Sequence, residues 1–114
     1  MTKTIKIPIY FGKLIIHQVE DLKSIEQKYD LTSLHGKGAC AFKNHDKNDG
    51  YFRYVMAFTD DCSPRMIAHE ALHVVSFIYN DRGIYLDNEN DETQCYLLGW
   101  IVNECHKILK INTI

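Results

Sequence analysis

The sequence predicts an α+β fold in which a short, mostly antiparallel sheet packs with about three helices. Apolar residues alternate with other residues near the start of the chain and again in two runs near its middle, which is the period of a β-strand. From residue 64 to residue 80 they recur instead at the spacing of a helix. The 114 residues are 46% apolar and 25% charged, so we expect a single globular domain over residues 1–114.

The N-terminal part is predicted to form two strands and a helix. Isoleucine occupies every second position over residues 5–9, and Pro8 within this run favours an edge strand because proline cannot donate to a ladder. A turn over 10–13 and a second strand over 14–17 follow. Apolar residues at helical spacing, with acidic residues near the start, then predict a first helix over about 19–29.

Two further strands are predicted to form a hairpin. Residues 31–37 have the composition of a loop, and the strands over 38–43 and 51–58 are joined by a polar, turn-rich connection over 44–50. Both faces of the strand over 51–58 are largely apolar. We therefore expect this strand inside the sheet or beneath a helix.

The C-terminal half is predicted to hold two longer helices. Ser63-Pro64 is a helix start, since the hydroxyl can accept from a free backbone N–H and proline is tolerated at the first position. The helix is expected over 64–80, with Gly83 as a stop. A last helix, capped by Asn90 or a neighbour, contains the run 96–102, which is apolar on every side and predicts a place in the middle of the domain.

The run His69-Glu70-Ala71-Leu72-His73 predicts a zinc site. Residues four apart lie on one face of a helix, so His69 and His73 can direct two ring nitrogens to one Zn²⁺. Glu70 is one position round the helix, close enough to reach a water on that metal without being a ligand. Glu70 is therefore predicted to be the general base.

The motif and its uncharged flanks resemble the active-site helix of the zincin metallopeptidases. In the gluzincin branch a glutamate on the following helix, about twenty residues on, is the third ligand, and Glu92 lies 19 residues after His73. The resemblance thus implies Glu92 as third ligand, with Glu89 and Asp91 as alternatives. Gly99, on the same helix face as Glu92, would let the two helices approach closely.

Gluzincins also carry an acidic residue that steadies a zinc histidine, and a tyrosine or histidine that supports the tetrahedral intermediate. The first is not located in this sequence. The candidates for the second are Tyr79, Tyr85, Tyr96 and His106. Zincins seat an extended substrate along an edge strand, so the resemblance implies a substrate position on the strand over 51–58 or its hairpin partner.

Together these features predict a small zincin-like hydrolase that cleaves peptide bonds of a peptide or protein substrate. The order of elements is similar to minimal gluzincin domains and to short phage-encoded proteins with this motif. The alternative is a non-catalytic interaction protein of phage origin, in which zinc holds two helices together and the surface binds a host protein. A third possibility is a protease with one narrow regulatory substrate.

Other classes of function are disfavoured by composition. The net charge is −2 with mixed signs, so there is no basic stripe for nucleic acid. No apolar run approaches the roughly 20 residues that span a membrane, and no signal peptide is recognisable, so a cytoplasmic protein is expected. The four scattered cysteines are expected to be small buried side chains. His17, His35 and His45 lack partners at ligand spacing.

Overall fold

Seven helices and strands are present in the computed structural model, within the residues it describes, which are 1–34, 36–46 and 50–112. Four of the seven are strands and three are helices, as the sequence predicts. In chain order they are β1 (Thr2–Lys6), β2 (Lys13–Val19), α1 (Lys23–Tyr29), β3 (Ala39–Lys43), β4 (Arg53–Thr59), α2 (Pro64–Asp81) and α3 (Glu92–Ile108).

The strands form one mixed sheet in the order β1-β2-β4-β3. The pairs β1–β2 and β3–β4 are antiparallel, whereas β2 and β4 run parallel, with Ile16 opposite Met56. The predicted hairpin and the interior position of β4 are confirmed. The first strand is at an edge, as predicted, but it covers Thr2–Lys6 and not residues 5–9, so Pro8 lies in the turn after it and is not the reason for the edge position. Most of the connection over 44–50 is described, but residues 47–49 lie outside the described part.

Helices cover both faces of the sheet. Alternate residues of β4 point to opposite faces. Tyr54, Met56 and Phe58 join the main core beneath α2 and α3, while Ala57 packs on the other face with Leu22 and Ile25, just before and within α1. The buried residues of α2 and α3 that complete the main core are Ile67, Ala71, Val74, Val75, Ile78, Tyr79, Leu97, Ile101 and Cys105.

Two helices differ from the sequence-based expectation. α1 begins at Lys23 and not near residue 19, because Val19 is the last residue of β2 and pairs with Thr59. α3 does not lie in the middle of the domain. It buries Leu97, Ile101 and Cys105 only, and the opposite face is exposed. Within the run 96–102, Tyr96 is therefore exposed, whereas Leu98, Trp100 and Val102 are partly buried against the core.

Polar contacts fix both ends of α2. At its start Ser63 accepts a hydrogen bond from the Met66 backbone N–H, the cap predicted from the sequence. At its end the Asp81 carboxylate accepts from Lys43 at 2.7 Å and from the Tyr54 hydroxyl at 2.6 Å. Partial burial raises the pKa of Asp81, but these hydrogen bonds and one with His45 outweigh it and leave that pKa below its usual range. The helix is thus tied to the β3–β4 hairpin.

Among the helices of the described residues, none has both the length and the apolar character that crossing a bilayer requires.

Candidate metal centre

The structure brings the three residues of the predicted motif together on α2. Single ligand atoms of His69, Glu70 and His73 all lie within 4.8 Å of one another. The two imidazole rings are 5.0 Å apart between centroids. Two ligands of one zinc ion are separated by about 3–4 Å, since each lies about 2.0–2.2 Å from the metal. The imidazole nitrogens of His69 and His73 are donors of the type that zinc takes, and their separation exceeds the required one by at most about 2 Å.

Glu70 and the histidines differ in their exposure. The Glu70 side chain is 11% exposed, whereas that of His69 is 64% exposed. Burial raises the pKa of Glu70, and positive charge on His69, His73 and Lys37 opposes that rise. One Glu70 oxygen lies 3.9 Å from Nε2 of His69. The helix thus holds its carboxylate in a restricted place beside two histidines that water and larger molecules can reach.

Glu70 faces the start of β3. Met66 lies one turn before Glu70 on the same helix face. The methyl group of Met66 packs so closely on Gly38 that a Cβ at that position would clash with it. The carbonyl of Gly38 accepts from the Thr59 backbone N–H at 2.9 Å. This close approach brings the chain just before β3 against the part of α2 that carries the motif.

A row of contacts also connects His73 to the far end of β3. The ring of Phe77 stacks on His73, with 6.3 Å between centroids and 19° between planes. The Lys43 ammonium lies 5.8 Å from the centre of the Phe77 ring. The motif face of α2 therefore follows β3, which forms one of the two edges of the sheet.

The carboxylates predicted as third ligand are not part of this cluster. Among the described residues, the only group of three or more potential ligands at this spacing is His69, Glu70 and His73. Glu92 opens α3, and the next residue, Thr93, lies beside Tyr10.

Arg82, just past the end of α2, also contacts Tyr10, so the start of α3 lies near the end of α2. His73 is nine residues before Arg82, about 14 Å along the helix axis. Glu92 as a ligand stays a prediction. Zinc retention by Glu92→Ala, Glu89→Ala and Asp91→Ala variants would separate the three candidates.

The expectation that Gly99 allows a close helix contact is wrong. A Cβ built at Gly99 meets no atom within 4 Å, because this residue lies on the exposed face of α3. That face is turned away from the core residues Leu97 and Ile101. Gly99 therefore plays no part in joining the two helices.

The four candidates for support of the tetrahedral intermediate have varied surroundings. Tyr79 is buried, and its hydroxyl lies 3.3 Å from that of Tyr10. Tyr85 and Tyr96 are 91% and 76% exposed, and His106 is exposed in the last turn of α3. None of these contacts the motif in a described hydrogen bond or ring contact. Lys37, whose charge acts on Glu70, was not predicted, because only the fold brings this loop to α2.

The remaining histidines and cysteines have other surroundings. His17 is buried between Thr2 and Tyr29, and His45 contacts Asp81, so both are structural. His35 lies outside the described residues. All four cysteines are unpaired. The expectation that they are buried holds for Cys62 and Cys105, but Cys40 is half-buried and Cys95 is exposed.

Comparison with known proteins adds no relative: no family model, curated protein or solved structure matches this chain.

Proposed function

We propose that this chain is a zinc-dependent metallopeptidase of the zincin type, resembling the gluzincins, with α2 as its active-site helix. The observation that carries the proposal is the cluster of His69, Glu70 and His73, in which two exposed histidines flank a buried carboxylate. Four unpaired cysteines suit a reducing compartment such as the cytoplasm.

In the proposed reaction His69 and His73 would hold Zn²⁺, and Glu70 would act as general base. When bound in such a site, zinc lowers the pKa of a water molecule and polarises a carbonyl group. Glu70 accepts a proton from the attacking water while the water oxygen forms a bond to the carbonyl carbon. The protonated Glu70 then gives this proton to the amide nitrogen as the C–N bond breaks. The products are a carboxylic acid and an amine.

The sheet favours β3 as the place where an extended substrate would lie. β4 pairs with β2 on one side and β3 on the other, so its backbone groups are already used. β3 pairs with β4 alone and lies beside the motif face of α2. A peptide added to this free edge would gain main-chain hydrogen bonds and pass the histidines. Of the two strands considered from the sequence, β3 is the better candidate.

A second candidate function is a non-catalytic protein whose zinc stabilises the fold while its surface binds a host protein. The absence of Glu92 from the ligand cluster of the described residues favours the lack of catalysis, since a catalytic zinc usually has three protein ligands. Against it, His69, Glu70 and His73 all come from α2, so an ion held by them alone would not join two helices. Structural zinc is normally closed by four protein ligands, whereas this cluster is open to solvent.

The substitution Glu70→Gln tests the proposal. It keeps the size of the side chain and both histidines but removes the base, so we expect zinc to be retained and peptide hydrolysis to fall by about 10²–10⁴-fold. Glu104→Gln, which alters a carboxylate on α3, is the matched control and should keep full activity. Activity is measured on a peptide library and on a host cell extract, since a narrowly specific protease would ignore generic peptides. Full activity in zinc-loaded Glu70→Gln would refute the proposed mechanism.

A further inference from the structure

The turn between β1 and β2 holds two large apolar residues in strained backbone conformations. Ile9 has φ 68° and Phe11 has φ 59°. Positive φ is uncommon outside glycine, and for a β-branched residue it is a genuine outlier. The side chains gain little burial in return, since Ile9 is 86% exposed and Phe11 is 81% exposed. Their own chain therefore gives no packing reason for this conformation.

Arg82 holds the turn in place. Its guanidinium donates to the carbonyl of Tyr10, at 2.8 Å from Nε, and to that of Phe11, at 2.8 Å from Nη2. It also lies 4.3 Å from the centre of the Phe52 ring. The backbone of the turn is thus fixed from beneath while Ile9 and Phe11 project outward. Apolar side chains on a fixed backbone lose little entropy when a partner covers them.

A groove lies beside the projecting residues. It separates the turn from α3 and has a volume of about 280 Å³. Its walls are apolar and aromatic. The residues that line it include Pro8, Ile9 and Tyr10 of the turn and Tyr96, Leu97 and Trp100 of α3. Since a cavity of about 150 Å³ holds a benzene molecule, the groove has room for one phenyl ring.

The two sides of this surface carry opposite charge. Lys6 and Lys13 pair across the base of the turn, where they border Ile9 and Phe11. The exposed acidic residues Asp87 and Glu89 stand just before α3. The Asp87 backbone N–H donates to the Gln94 side chain in the first turn of α3, next to Thr93 of the groove wall, and the Asp87 carboxylate accepts from the Glu89 backbone N–H. The apolar centre therefore lies between a basic edge and an acidic edge.

We propose that this surface, named here the turn–groove surface, forms a symmetric dimer in which Phe11 of each copy enters the groove of the other. Ile9 borders both the groove and the exposed ring of Phe11, and the groove has room for one such ring. A two-fold rotation exchanges ring with groove and basic edge with acidic edge, so the surface is complementary to itself. An unrelated partner would not require both the ring and the groove, or both charged edges, to be present on one surface. The dimer proposal does not rest on the proposed peptidase activity.

Sedimentation equilibrium of the whole chain tests this proposal. We expect a mass that rises with concentration from 13.3 kDa to twice that value. The double substitution Ile9→Asn and Phe11→Asn removes both apolar side chains, and asparagine tolerates positive φ, so the monomer should keep its fold. Dimerisation should weaken by at least about thirtyfold, as for the loss of central interface residues. Leu72→Asn, which removes an exposed leucine outside this surface, should leave dimerisation unchanged.

Charge reversal gives a second test, in which a loss of dimerisation caused by misfolding would not be restored by further substitutions. Lys6→Glu with Lys13→Glu should weaken dimerisation, and adding Asp87→Lys with Glu89→Lys to the same chain should restore it. A monomer at all concentrations up to about 0.5 mM would overturn the proposal. So would a dimer that survives the asparagine substitutions, or open-ended assembly in place of a closed pair. Binding of the monomer to a different protein through this surface would likewise replace the proposal.

Discussion

At the scale of single residues, the burial of Glu70 separates its role from that of its neighbours. His69 and His73 reach solvent, where they can take up a metal and meet a substrate. Glu70 is buried, and Lys37 of the loop before β3 lies close enough for its positive charge to act on the carboxylate. A base must stay within hydrogen-bond reach of the proton that it removes. In the proposed mechanism, burial of the side chain favours that position.

His17 provides a prediction for pH at the same scale. Its Nδ1 lies 2.8 Å from the Thr2 hydroxyl and its Nε2 lies 2.6 Å from the Tyr29 hydroxyl. Burial lowers the pKa of His17, and the positive charges of Lys28 and the N-terminus lower it further. Between this lowered pKa and the ordinary value of about 6.5, the unfolded chain binds more protons than the folded one. The free energy of unfolding should therefore decrease as pH falls below about 6.5.

Urea unfolding of the metal-free protein, with EDTA present, at several pH values from about 7.5 to 5 measures this decrease. His17→Gln cannot be protonated, so its unfolding midpoint should depend less on pH. His106→Gln, a control at an exposed position, should behave as the unaltered chain does. If the unfolding midpoints of His17→Gln and of the unaltered chain depend equally on pH, groups other than His17 cause the loss of stability.

At the scale of the elements, the same substitution is expected to have opposite effects at two glycines. Gly99 lies exposed within α3 and has no atom near its missing Cβ, so Gly99→Ala should raise the free energy of unfolding by about 0.5–1 kcal/mol. Gly12 has φ 98°, and a Cβ there would lie 2.8 Å from the Phe52 carbonyl oxygen. Gly12→Ala should therefore lower that free energy by about 1–3 kcal/mol.

Chemical denaturation of both variants provides the measurement. A loss of stability in Gly99→Ala would mean that a neighbouring element does pack against this face of α3. That result would restore the close helix approach expected from the sequence.

Elements whose signals are local could be predicted from the sequence. The start of α2 depends on Ser63 and Pro64, and its predicted and observed ends differ by one residue. The β3–β4 hairpin follows from alternation on both sides of a polar connection. The position of α3 could not be predicted in this way. A run that is apolar on every side does not show which face of the helix stays uncovered. In α3 that face contains Tyr96 and Gly99, which are exposed.

At the scale of the whole molecule, the parallel pairing of β2 with β4 decides where the helices lie. No local signal predicts this pairing, because it joins strands that are separated by α1 and β3. It brings the β1–β2 turn close to the first turn of α3 and sets β3 at the edge beside the motif. The sequence thus predicted that His69, Glu70 and His73 lie together on α2, but it could not predict that Glu92 lies outside this cluster.

The most direct test of the central claim is the zinc content of the purified protein after dialysis, measured by elemental analysis. We expect one zinc ion per chain in the unaltered protein and in His106→Ala, whose histidine lies outside the centre. His69→Ala and His73→Ala should each lose the metal while keeping their helical circular dichroism, since both side chains are exposed. An unaltered chain without zinc, or stoichiometric zinc in folded His69→Ala and His73→Ala, would contradict the account.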